Sequence, residues 1–145
     1  MRHSLLLCFL IAIVSGCATT PYAPGESEML RRASAMTKLS AAMEAHVRFG
    51  NPAPSATSAE LLAEGTAHDP TLLNNMGTYT IKVLARERHA VVLMCTQTGE
   101  RALLEDAGCT GPLETHHWKQ VGQPCDFTVD VAAVCPRRAP AAESH

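Results

Sequence analysis

Charge of one sign is what the sequence most plainly lacks: 12 lysines and arginines stand against 14 aspartates and glutamates, with no basic run. Nucleic-acid binding needs a clustered positive face, so a polynucleotide partner is not expected. Long apolar runs are missing too. The longest, Leu5 to Val14, is interrupted only by Cys8 and is far shorter than the roughly 20 residues a helix needs to span a bilayer. No Cys-x-x-Cys spacing occurs, which removes the common arrangement for thiol redox chemistry and for zinc. No dinucleotide fingerprint, phosphate-cradling glycine loop or Ser-His-Asp set can be assembled, and no segment repeats. Disorder is excluded from the other side: 46% of the residues are apolar and 18% charged, the balance of one folded domain.

What is present begins at the amino terminus. Arg2 gives a short positive start, the apolar run follows, and the run ends in Val14-Ser15-Gly16-Cys17. This is an export signal. A branched apolar residue, two small residues and a cysteine at this distance from the start resemble the bacterial lipobox of lipoprotein precursors. The resemblance covers residues 1–17 only. It implies removal of residues 1–16, with acyl chains such as palmitate on Cys17, and two or more such chains anchor a protein stably. Cleavage removes Arg2 and leaves a mildly acidic product. Ala18 and Thr19 follow the cysteine where an Asp would mark inner-membrane retention. The resemblance therefore implies the outer membrane of a Gram-negative cell, with the chain facing the periplasm.

Residues 17–25 then read as the lipidated cysteine and its tether, since Pro21, Pro24 and Gly25 punctuate a stretch without periodicity. A single α+β domain is expected over 26–135 and a loose tail over 136–145. From Glu26 to Phe49 apolar residues recur at helical spacing, and Gly50-Asn51-Pro52 stops the helix. Met29, Met36 and Met43 alternate with Ala33, Ser40 and Val47 in a seam of period 3.5, with Leu30 and Leu39 on its flanks. That seam suits either the protein's own sheet or a partner helix; the small Ala33 and polar Ser40 favour the sheet. Thr57 to Glu60 has capping-box spacing and opens a helix ending at Gly65, and Asp69-Pro70 opens a third ending at Gly77.

After Gly77 the period changes to two. Thr78 to Glu87 alternates as a half-buried strand, and Ala90 to Cys95 is apolar throughout, a strand covered on both faces. Arg101 to Glu105 is expected as a third strand and Cys125 to Val131 as a fourth. The fold class expected is α+β: amino-terminal helices on a small antiparallel sheet stapled by two disulfides. Cys95, Cys109, Cys125 and Cys135 remain once Cys8 leaves with the signal and Cys17 carries lipid. An even set in an oxidising compartment reads as two bridges, each contributing ~3 kcal/mol. Of three pairings, Cys95 with Cys109 and Cys125 with Cys135 is preferred because each closes a local segment.

Candidate chemistry is sparse. His116-His117-Trp118 is the most unusual cluster, but adjacent histidines on a strand point to opposite faces. They are expected as rim residues beside a packed Trp118. Met94 with nearby thiols would suit copper if the thiols stayed reduced. Glu105 and Asp106 precede Ala107-Gly108 in what reads as a turn, and Asp126 and Asp130 as a solvated strand face. No enzyme, cofactor or metal is expected. The sequence reads as a non-enzymatic binding, structural or inhibitory module with an unidentified envelope protein as partner. The alternative is a periplasmic metal-binding lipoprotein using His116 and His117, which needs both to converge with a third ligand such as His89 or Asp126.

Overall fold

A computed structural model describes residues 25–110 and 117–135. The lipobox, Cys17, the tether up to residue 24, His116 and the tail 136–145 lie outside the described residues. Helix α1, Glu26–Phe49, is followed by α2, Ser58–Gly65, and a 3₁₀ helix, Pro70–Met76. Strands β1, Thr80–Arg86, β2, His89–Cys95, β3, Ala102–Ala107, and β4, His117–Trp118, form one antiparallel sheet in sequence order. A four-residue helix, α3, Val131–Val134, closes the described chain. The α+β architecture is the one the sequence pattern predicts, and no helix among the described residues is long and apolar enough to cross a membrane.

The local punctuation acts as its residue types require. Thr57 accepts from the Glu60 backbone N–H while the Glu60 carboxylate accepts from Thr57 N, so the capping box is closed in both directions. The Asp69 carboxylate accepts from Thr71 N ahead of Pro70, and the turn that follows is 3₁₀, a tighter helix than the ordinary one the sequence pattern predicts. Glu87 and Arg88 both have positive φ, so a two-residue turn of the primed type joins β1 to β2.

The methionine seam packs on the protein's own sheet. Met29, Ala33, Met36, Met43 and Val47 are buried against Val83, Ala90, Val92, Met94 and Leu104. Leu39 joins them fully buried, while Leu30 on the opposite flank is exposed. Because side chains alternate across a strand, Val91, Leu93 and Cys95 of β2 point to the sheet's other face. There Ala102 and Ala107 of β3 lie beside them, and Phe127, Val131 and both disulfides cover them. Strand β2 is thus apolar on both sides, as its composition predicts.

Four further expectations need correction. Residues 125–130 form no strand: the Thr128 and Val129 backbone N–H groups donate to the Glu105 carboxylate, and the Asp130 side chain caps α3 at Ala132 N. The alternation of Cys125, Phe127, Val129 and Val131 reflects a segment laid across the sheet, not a ladder. The last strand of the sheet is instead β4, two residues paired with β3 at Leu104 and Glu105. Glu105 and Asp106 are not in a turn, because β3 runs through them to Ala107 and buries both. Trp118 is 47% exposed rather than packed.

The fourth correction is the disulfide connectivity. All four cysteines are bridged, but as Cys95–Cys125 and Cys109–Cys135, with Cα separations of 5.7 and 5.5 Å. The β2–β3 register explains why the local pairing fails. Cys95 lies opposite Ala102, whereas Ala107 lies opposite Val91. Four residues of strand put Cys109 more than about 13 Å along the sheet from Cys95, and a disulfide tolerates Cα separations only up to about 7 Å. The 125–135 segment starts at the Cys95 end of the sheet and finishes at the Cys109 end, so each bridge pins one of its ends.

Candidate functional site

Among the described residues three carboxylates are buried: Glu44, Glu105 and Asp106. Neighbours on β3, Glu105 and Asp106 face opposite sides of the sheet. The Asp106 carboxylate accepts from Ser40 Oγ of α1, which explains a serine in the middle of the apolar seam. Glu105 faces the 125–135 segment. It accepts from Thr128 N at 2.9 Å, Val129 N at 3.0 Å and Thr128 Oγ1 at 2.9 Å, and pairs with the Lys119 ammonium. Burial pushes its pKa up, but Lys119 and the Val129 and Thr128 donors outweigh that and hold it below the ordinary carboxylate value. Both groups are fully partnered anchors, Asp106 for the helix and Glu105 for the crossing segment.

Glu44 belongs to a different arrangement. Its Oε1 lies 2.7 Å from His89 Nδ1, and its Oε2 accepts from Ala90 N at 2.8 Å. Arg48, one turn further along α1, is 3.6 Å from Oε1. With Nδ1 held by a carboxylate, the His89 ring is fixed in tautomer and orientation. One nitrogen of that ring and the Sγ atoms of Cys109 and Cys135 all lie within 4.8 Å of one another. Among the described residues these three form the cluster of metal-ligating side chains tight enough for a single ion. As a disulfide the two sulfurs are a staple and not ligands. Gly108 sets the close approach: a Cβ there would fall 2.3 Å from the Ser40 carbonyl oxygen and 2.6 Å from Glu44 Cβ, so only glycine lets β3 run under α1 at this point.

Comparison with known proteins finds no matching family, no matching curated protein and no matching solved structure.

The residues singled out in the sequence fare unevenly. His117 starts β4 with its backbone paired to Glu105, and His116 is outside the described residues. His89 is engaged by Glu44, and Asp126 is exposed. Met94 is buried against α1, on the sheet face opposite Cys95. The Glu44–His89 pair was not legible in advance, since 45 residues separate its members. The available signal was a glutamate beside Met43 on the buried side of α1, a position where a charge needs a partner. Elsewhere on the surface, an open groove of about 570 Å³ lies between the β1–β2 hairpin and the segment after α1, lined by Pro52, Ala56, Leu61, Val83, Ala85 and Arg88. Strand β1 forms one edge of the sheet, and Val83 N on it donates to Ser58 Oγ of α2, so that donor is capped by a side chain and not left for another strand.

Proposed function

We propose that this protein is a lipoprotein of the outer membrane, facing the periplasm, whose α+β domain serves as a non-enzymatic binding, structural or inhibitory module of the cell envelope. The observation that carries the reading is the sequence Val14-Ser15-Gly16-Cys17 closing an export-length apolar run. Support comes from the cysteines. Four thiols committed to two buried-to-half-buried bridges suit an oxidising compartment and would stay reduced in a cytosol. The non-enzymatic part rests on the carboxylates, since Glu105 and Asp106 spend their acceptor capacity on holding segments together. Metal binding through His116 and His117 gains no such support, because the described cluster of ligand-type side chains lies at His89, Cys109 and Cys135.

The experiment is crosslinking in intact envelopes, followed by membrane fractionation, with the parent chain and Cys17→Ser side by side. The parent should fractionate with the outer membrane and yield one reproducible crosslinked partner, and Cys17→Ser should lose both. A Cys17→Ser chain that still sorts to the outer membrane would overturn the anchored reading. A parent chain that sorts correctly yet crosslinks to nothing would overturn the module reading alone.

A further inference from the structure

We propose that His89, Cys109 and Cys135 form a redox-gated site for a thiophilic divalent cation, zinc by its chemistry, closed while the Cys109–Cys135 bridge stands and opened when a dithiol reduces it. The ligand set is two thiolates and one imidazole, the soft and borderline donors that select zinc over magnesium or calcium. Its geometry is already assembled. One His89 nitrogen and both sulfurs lie within 4.8 Å of one another. Bonds of about 2.3 Å to sulfur and about 2.0 Å to nitrogen in a tetrahedron place ligand atoms about 3.5–3.8 Å apart. Side-chain rotation that parts the two sulfurs is therefore the main adjustment required.

Glu44 completes the case for a site over a chance neighbourhood. Its Oε1 holds His89 Nδ1 at 2.7 Å, which leaves Nε2 as the nitrogen for a metal, and its Oε2 is committed to the Ala90 N–H. A carboxylate behind a ligating histidine is the outer-shell arrangement that orients the ring. With Glu44 so engaged, the fourth position falls to water, and the half-buried Cys109 leaves the site open to solvent on that side.

Selective opening follows from exposure. Cys95 and Cys125 are 0% and 5% exposed, packed with Leu93 and Ala102, whereas Cys109 is half-buried at the end of the sheet. A reductant thiolate attacks Cys109 Sγ, the bridge breaks, and the electron pair leaves on Cys135 Sγ. The second thiol of the reductant then attacks the mixed disulfide and releases Cys109, so two electrons pass to the protein and the reductant becomes a disulfide. Binding of the cation displaces the thiol protons. Cys135 stays in place without the bridge because Val131 is buried against Val91 and Ala107, and Asp130 caps α3.

The test uses the full chain carrying Cys8→Ser and Cys17→Ser, so that the four domain cysteines are the only thiols and the result is independent of the lipid anchor. After limited phosphine reduction, alkylation mapping should find Cys109 and Cys135 free and Cys95–Cys125 intact. Cobalt(II) should then bind one per chain with the visible bands and thiolate charge-transfer absorption of a tetrahedral thiolate site, and zinc should displace it. Glu44→Gln should weaken binding about 10- to 100-fold, and His89→Ala more than that, with loss of the tetrahedral bands. His89→Gln, checked for retained secondary structure, repeats the second arm should the alanine variant fold poorly. The proposal is overturned if the reduced parent binds no cobalt, if the His89 variants bind it unchanged, or if Cys95–Cys125 opens first.

Discussion

Gly108 and Glu105 show how single residues hold this domain. Any side chain at Gly108 meets backbone, the Ser40 carbonyl, and not the yielding tip of a flexible group. Gly108→Ala should therefore cost about 3 kcal/mol, the upper end for overpacking, read as a fall in denaturant midpoint. Glu105→Gln leaves the buried Lys119 ammonium without its counter-charge and should cost about 3–5 kcal/mol in the same measurement. The Glu105 carboxyl is held below its ordinary value in the folded chain. Its contribution is thus complete above the unfolded carboxylate pKa and is lost as pH falls through the folded value. A pH series should show the parent losing stability on acidification more steeply than Glu105→Gln, and parallel curves would contradict the assignment. Neither residue was legible in the sequence. Glu-Asp before Ala-Gly has the composition of a turn, and only the tertiary partners Ser40, Lys119 and Thr128 make burial of both affordable.

At the scale of elements, α1 decides between self-packing and partner binding. Met36 is fully buried against the sheet, so Met36→Asp puts an unpaired charge into the core. The variant should melt well below the parent even at high dilution, with unfolding followed by circular dichroism. A variant that melts like the parent would mean that this face is not core. The helices were readable because their signals are local: a seam of fixed period, a capping box, a Gly-Asn-Pro stop. Strands β1 and β2 were readable for the same reason, with alternation in one and continuous apolarity in the other. The 125–135 segment was not, because its apolar alternation is that of a strand while its backbone donors are taken by a carboxylate from β3. Disulfide pairing failed for a related reason. Sequence distance favours local loops, but the antiparallel return of β3 carries Cys109 to the far end of the sheet from Cys95.

For the whole molecule, two covers enclose one sheet: α1 and α2 by apolar packing, and the 125–135 segment by two bridges and the Glu105 carboxylate. Non-reducing peptide mapping should find Cys95 joined to Cys125 and Cys109 to Cys135. The bridges span 30 and 26 residues, and opening either should cost about 3.5 kcal/mol through restored freedom of the unfolded chain. A map linking Cys95 to Cys109 would contradict the register of β2 and β3. Bridges at both ends of the crossing segment suit the oxidising compartment and the Cys17 tether that we propose. That compartment and that tether make up the central functional claim, and the intact mass of the chain extracted from membranes tests it most directly. The account predicts a protein that begins at Cys17, lacks residues 1–16, carries the added mass of acyl chains on that residue, and shows no free thiol. A chain still beginning at Met1, or one beginning at Cys17 with no acyl mass, would contradict it.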